Sequence, residues 1–312
     1  MNPTVATIFF TTASGAGYGL IALMAIFQAS GILPTNPKLG LVGFTIAFAL
    51  ITVGLVAPVL RPGRLSQAWA AAGQWHTSWR GRTVAFALLT YPPAGAYAAG
   101  WYADWRPDYL TAVGMVAAML CMQTVYCTAM IYTSRKTIRA WSNAWVPTGF
   151  FGLSILTGAL ILHALTAAFG YFNSAYFWVS TLAIVFAGVV KMRYWQMIDR
   201  DLPVSPPAAA IDPDDPEQPA DAPDPADTAE PAPQNYLLEG RYHIFARAYA
   251  DKLRQLAIAA AFMAPILLIT LANVSPAASA VTLTTLATLV ALFGVLIERW
   301  LFFAEAQEAA GA

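Results

Sequence analysis

Eight stretches of this chain are each long and apolar enough to cross a bilayer. They run roughly over 5–29, 39–60, 83–101, 109–133, 147–169, 175–197, 255–274 and 279–303. About 20 mostly apolar residues span the hydrocarbon core as a helix. None of the runs alternates as an outer-membrane strand does. With 58% hydrophobic and 11% charged residues, the chain lies outside the soluble globular range. The expected fold is all-α, a polytopic membrane protein of eight transmembrane helices. MNPTVATIFF lacks a basic leader, so the first run reads as a retained span.

The charges are unevenly placed. Lys plus Arg and Asp plus Glu both number 17, yet ten of the acids fall in 201–240, which has no Lys or Arg. That Pro-, Ala- and Asp-rich stretch has too little apolar surface to fold and reads as a disordered linker over 201–238. It divides a six-helix part, 1–200, from a two-helix part, 239–312. With eight spans, both termini share a side with the connections after spans 2, 4 and 6. That side carries fifteen Lys and Arg, against Lys38 and Arg106 on the other. The excess of positive charge expected on inner loops places it, and both termini, in the cytoplasm, with the chain in a bacterial inner membrane.

Within that basic side, RPGRLSQAWAAAGQWHTSWRGR over Arg61–Arg82 holds four arginines, three tryptophans and His76. Leu65, Trp69, Ala72, His76 and Trp79 fall on one helical face. An amphipathic helix lying in the interface is expected, with its tryptophans toward lipid. The loop Ser134–Pro147 repeats the basic and aromatic composition, and Pro147 suits the first turn of span 5. Gly15 and Gly19 make a GxxxG pair suited to close helix packing. Pro92 and Pro93 predict a kink in span 3. Cys121 and Cys127 lie six apart on one helix, on different faces, so a mutual disulfide is not expected.

No P-loop, nucleophile elbow or HExxH appears. His163 is alone among the histidines in lying well inside a span, so a bis-histidine haem is not expected. Glu298 beside Arg299 reads either as a structural salt link or as a proton relay. The two basic loops read either as positive-inside charge with an aromatic belt, or as a surface for a partner and a flat headgroup.

Three stretches carry a family resemblance: GRLSQAWAAAGQWHTSWRGR, CTAMIYTSRKTIRAWSNAWVPTGFFG and IERWLFFAEA. The chain resembles the membrane-anchor subunits of dimethyl sulfoxide reductase and its molybdoenzyme relatives, most closely those of cytoplasmic sulfite dehydrogenase (quinone) complexes. The resemblance implies a quinone-interacting anchor without haem. An iron–sulfur subunit and a molybdopterin catalytic subunit would be its partners and would carry the other cofactors. Electrons would pass from sulfite to ubiquinone or menaquinone. Spacing, side and resemblance together point to Arg61, Arg64, Trp75, His76, Trp79, Arg82, Trp141 and Asn143 for the quinone. They point to Arg135, Lys136 and Arg139 for docking the iron–sulfur subunit, and to His76 or Glu298 for protons. In relatives a histidine often ends span 2 where this chain has Arg61, which can only donate hydrogen bonds. The rival readings are a sulfoxide or N-oxide reductase anchor fed by quinol, a structural tether without a quinone site, and a secondary transporter. The last would show inverted repeats and broken helices around midplane charges, and no such repeat is visible.

Overall fold

The computed structural model describes residues 3–59, 70, 73–201 and 249–306. These form eight long helices and no strand among the described residues: α1 Pro3–Ala29, α2 Pro37–Val56, α3 Trp79–Tyr102, α4 Pro107–Thr133, α5 Trp145–Ala168, α6 Ser174–Asp201, α7 Ala250–Asn273 and α8 Ala277–Ala304. Seven of them are apolar and long enough to cross a membrane. The exception is α3, which forms as a helix but carries Arg80, Arg82, Pro92 and Pro93. The helix continues through both prolines. Except for Asp201, the linker at 201–238 lies outside the described residues.

The helix ends are set by local chemistry. Asn36 caps α2, its side-chain oxygen accepting from Lys38 N at 2.9 Å and Leu39 N at 3.3 Å, and Pro37 follows at the first helical position. Pro107 opens α4 in the same way. Helices α1 and α5 are the most enclosed, with 83% and 78% of their apolar windows buried, against 39–44% for the other five spans. They therefore form the centre, with α2, α3 and α4 to one side and α6, α7 and α8 to the other.

The centre is closed by small residues, as the GxxxG spacing predicts. Gly19 of α1 meets the Ser154 carbonyl and Gly158 of α5, and a Cβ on either glycine would collide with the opposite backbone. At a second crossing, Gly294 of α8 lies against Ala260 and Ala261, inside a π-helical segment, Ala259–Met263, that interrupts α7. Buried threonines bond back to their own helices: Thr124 to Leu120 O, Thr157 to Leu153 O and Thr284 to Ala280 O, each at 2.8 Å. A hydroxyl in a dry interior is thereby satisfied without a partner helix. The outward faces are apolar, as the exposed stripe Leu182, Val185, Phe186 and Val189 on α6 illustrates. Cys121 and Cys127 are both buried and free.

Candidate functional site

One end of the bundle gathers the α4–α5 loop, the end of α6, the start of α7 and the end of α8. Its foundation is aromatic. Trp141 is fully buried, stacks on Phe302 at 5.8 Å and donates its indole N–H to the Phe302 carbonyl at 3.1 Å. Tyr132 stacks on Phe150 at 5.7 Å and meets Trp141, Phe302 and Phe303 edge-on at 5.4–5.6 Å. This packing holds the loop Ser134–Ala144 as a compact cap with Ile138 and Ala140 buried beneath it.

Above this aromatic plug lies a cavity of about 460 Å³ lined by Lys136, Arg139, Ser142, Asn143, Trp145 and Met197. Its size suits a single headgroup. Lys136 and Arg139 are exposed and Asn143 is half-buried. Asn143 is already engaged: its amide nitrogen donates to Ala140 O at 2.8 Å and its oxygen accepts from Trp145 N at 3.0 Å. It therefore shapes the cavity rim and the start of α5, while Lys136 and Arg139 supply the charged donors. Trp141 anchors the loop that carries this cavity but does not line it. Arg135, half-buried in the same loop, is absent from the cavity wall as well.

The residues of the α2–α3 connection form a separate cluster. Arg82 reaches back to the Trp75 carbonyl at 3.1 Å and the His76 carbonyl at 3.0 Å, and its guanidinium lies 4.3 Å from the Trp79 ring centre. Trp79 packs edge-on against Tyr126 of α4, with centroids 6.2 Å apart. Trp75 and His76 are exposed, with ring centroids 3.8 Å apart. The in-plane helix expected here does not extend to Trp79. Gln74–Thr77 form turns, Ser78 is extended at φ −122° and ψ 131°, and Trp79 opens α3. Arg82 stabilises the turns because it satisfies two carbonyls there that no helix would use. Arg61, Arg64 and Trp69 lie outside the described residues.

A third cluster lies below the cap. Glu298 is fully buried and pairs with Lys191 of α6 and with Arg299, whose Nε is 2.9 Å from Glu298 Oε2. Among the described residues neither Glu298 oxygen accepts a hydrogen bond in good geometry, so the link is ionic contact. Each cation also has a ring: Lys191 Nζ is 4.0 Å from the Tyr194 centre, and Arg299 is 4.0 Å from that of Phe150. Lys191 precedes the end of α6 at Asp201 by ten residues, about 15 Å along the helix axis. The salt link expected between Glu298 and Arg299 is thus present, but its principal cross-helix partner is Lys191, which reads in sequence as the edge of span 6. An intramembrane cation requires a counter-charge, and that rule is the signal that could have found it.

Nearer the end of the bundle, Arg254 of α7 donates to Glu305 Oε1 at 2.7 Å and to the two Asp199 oxygens at 2.8 and 3.1 Å. Glu305 is largely buried, and burial pushes its carboxyl above the usual range, with Arg254 opposing that shift. Lys191, Arg254 and Arg299 thus balance Asp199, Glu298 and Glu305, a neutral set of six spread over α6, α7, α8 and the residue that ends α8. Among the described residues no group of three or more His, Cys, Asp or Glu is placed to hold a metal ion.

The chain is 26% identical, over 98% of its own length and 97% of the relative's, to a sulfite dehydrogenase subunit from Allochromatium vinosum. No solved structure matches it. The family model for the DMSO reductase anchor subunit (DmsC) matches residues 1–202. With a match over more than half its length, this multi-pass membrane protein belongs to the DMSO reductase anchor subunit family.

Proposed function

We propose that this chain is the membrane anchor and quinone-interacting subunit of a molybdopterin and iron–sulfur oxidoreductase complex. It passes electrons between the iron–sulfur subunit and membrane quinone during sulfite oxidation in the cytoplasm. The observation that carries this reading is the cavity at the basic end, where Lys136 and Arg139 line one pocket with Asn143 and Trp145. Family membership and the likeness to a sulfite dehydrogenase subunit support it. They favour an anchor over a transporter.

The residues fit a quinone headgroup. Lys136 and Arg139 can each donate to a carbonyl oxygen, and the flat Trp145 side chain offers an apolar wall. A quinone supplies two-electron acceptance coupled to uptake of two protons. Lys136 and Arg139 orient its oxygen and stabilise negative charge there. Arg135, half-buried beside them, is assigned to the acidic face of the iron–sulfur partner, with Lys136 and Arg139 shared between the two tasks. The exposed Trp75–His76 pair, in its separate cluster, is assigned to the quinone as well, as are Arg61 and Arg64 by their place in the sequence. His76 carries protons at the surface. Glu298 is assigned as the inner relay, with Lys191 as its titratable partner across the helices. Helix α3 serves as the eighth span, and the basic end faces the cytoplasm.

Co-purification tests the class: an iron–sulfur and a molybdopterin subunit should come down with the chain. In that complex, Lys136→Ala/Arg139→Ala should lower sulfite-dependent quinone reduction at least about tenfold, measured on the fraction in which Arg135 still holds the iron–sulfur subunit. Unchanged turnover would remove the cavity from the electron path. Protease access to the 202–235 linker from outside the cell would reverse the topology. It would favour the alternative, an exported sulfoxide or N-oxide reductase drawing electrons from quinol.

A further inference from the structure

The opposite end of the bundle holds a second cavity, of about 360 Å³, between α5, the α5–α6 turn and the α7–α8 turn. Two bonds show that the α1–α2 and α5–α6 connections share this end: Asn36 Nδ2 donates to Tyr171 Oη at 2.9 Å, and Tyr176 Oη donates to Ile32 O at 3.0 Å. Neither the basic loops nor the ion-paired cluster contributes to the lining.

The lining contains no Lys, Arg, Asp or Glu. It combines aromatic walls from Tyr171, Phe172 and Tyr176 with His163, Asn273 and Thr284. His163 is half-buried, and its Nδ1 lies 3.4 Å from Ser180 Oγ. Ser180 in turn donates to Ala159 O at 3.3 Å. With its proton committed there, the serine oxygen accepts from Nδ1–H. This arrangement favours the Nδ1–H tautomer, with His163 Nε2 as the acceptor. The ring hydrogen bond of His163 among the described residues is made through Nδ1. Tyr171 accepts from Asn36, so its own O–H is left to donate, and the Asn273 amide is unengaged among the described residues.

We infer that this cavity binds a neutral aromatic headgroup bearing a ring hydroxyl, the chemistry of a hydroquinone, with the hydroxyl donating to His163 Nε2 and the Tyr171 hydroxyl and Asn273 amide serving its other oxygen. The uncharged lining argues against a phospholipid headgroup, whose phosphate would lie there without a cation. The site shares its ligand class with the proposed function but not its residues. No electron transfer is assigned to it; it is a holding site at the far membrane face.

The test is fluorescence-quench titration of the purified complex in detergent with an alkyl-hydroxyquinoline N-oxide, a neutral hydroxyl-bearing ring on an apolar tail. A binding phase that His163→Phe weakens at least about tenfold, and that Lys136→Ala/Arg139→Ala leaves in place, supports the inference. Thr284→Leu, which narrows the cavity and leaves His163 in the sequence, should remove the same phase and serves if His163→Phe does not assemble. Titrations of both far-end variants superimposable on wild type would overturn it. So would a phospholipid, seen in the mass spectrum of the intact complex, that depends on His163 and is not displaced by the probe. A single wild-type phase lost only in the Lys136/Arg139 variant would also overturn it while sparing the basic-end reading. The converse loss would spare this inference and remove that reading.

Discussion

At the residue scale, Lys191 is the side chain whose role depends most on its surroundings. In sequence it stands near the end of an apolar run, where a lysine normally extends its stem to the interface. In the bundle it turns inward, because Glu298 and the faces of Tyr194 and Trp195 offer it a counter-charge and a lining. Lys191→Met should cost about 3–5 kcal/mol, the range for breaking a buried pair from one side. A large drop in the thermal midpoint of the detergent-solubilised chain would show it, and a midpoint indistinguishable from wild type would refute it. Glu305 yields a pH prediction. Its folded-state pKa is raised by burial, so the folded chain holds a proton that the unfolded chain releases sooner. Its contribution is therefore favourable at low pH and is lost as pH rises from the ordinary carboxyl value through the raised one. Thermal midpoints taken across that window should show a pH slope that is flatter in Glu305→Gln. Equal slopes would contradict the assignment.

At the scale of elements, the spans are legible in the sequence because their length and apolarity are set by the bilayer, whatever their neighbours. The Gly15–Gly19 spacing is legible for a related reason: only a missing side chain permits the contact of Gly19 with Gly158. Gly19→Val should separate α1 from α5 and abolish accumulation of folded protein in the membrane, which an immunoblot of membrane fractions reads directly. Normal accumulation would show that the crossing can adjust. Less can be read where a residue's role is set by a distant segment. Trp141 has the composition of a pocket residue, but its partner is Phe302, 161 residues further on, and that contact makes it a support. Arg82 has the look of a ligand donor, but the Trp75 and His76 carbonyls claim its guanidinium. In the α4–α5 loop, Lys136, Arg139 and Asn143 suggest different tasks by sequence and meet around one cavity. Spacing alone does not reveal such a meeting, because it follows from how the buried Ile138 and Trp141 fold the loop.

At the scale of the whole molecule, the two central helices are enclosed and the rest present apolar faces outward, so among the described residues the bundle is charged only at its ends and along the α6–α8 seam. The family match stops at residue 202, at the end of α6, while α7 and α8 lie beyond it and pack back on the first part. The contact from Arg254 to Asp199 sets the end of one part beside the start of the other. The chain between them therefore leaves and returns at nearly the same point. Two separately translated pieces, 1–201 and 249–312, should accordingly find each other in the membrane and restore the intact protein's assembly with its partners, as co-purification of one tagged piece with the other would show. Failure to pair, with both pieces inserted, would show that the intervening residues are needed as a tether. In evolutionary terms, a junction whose two ends already meet is a place where a gene can be lengthened, shortened or broken without redrawing the rest.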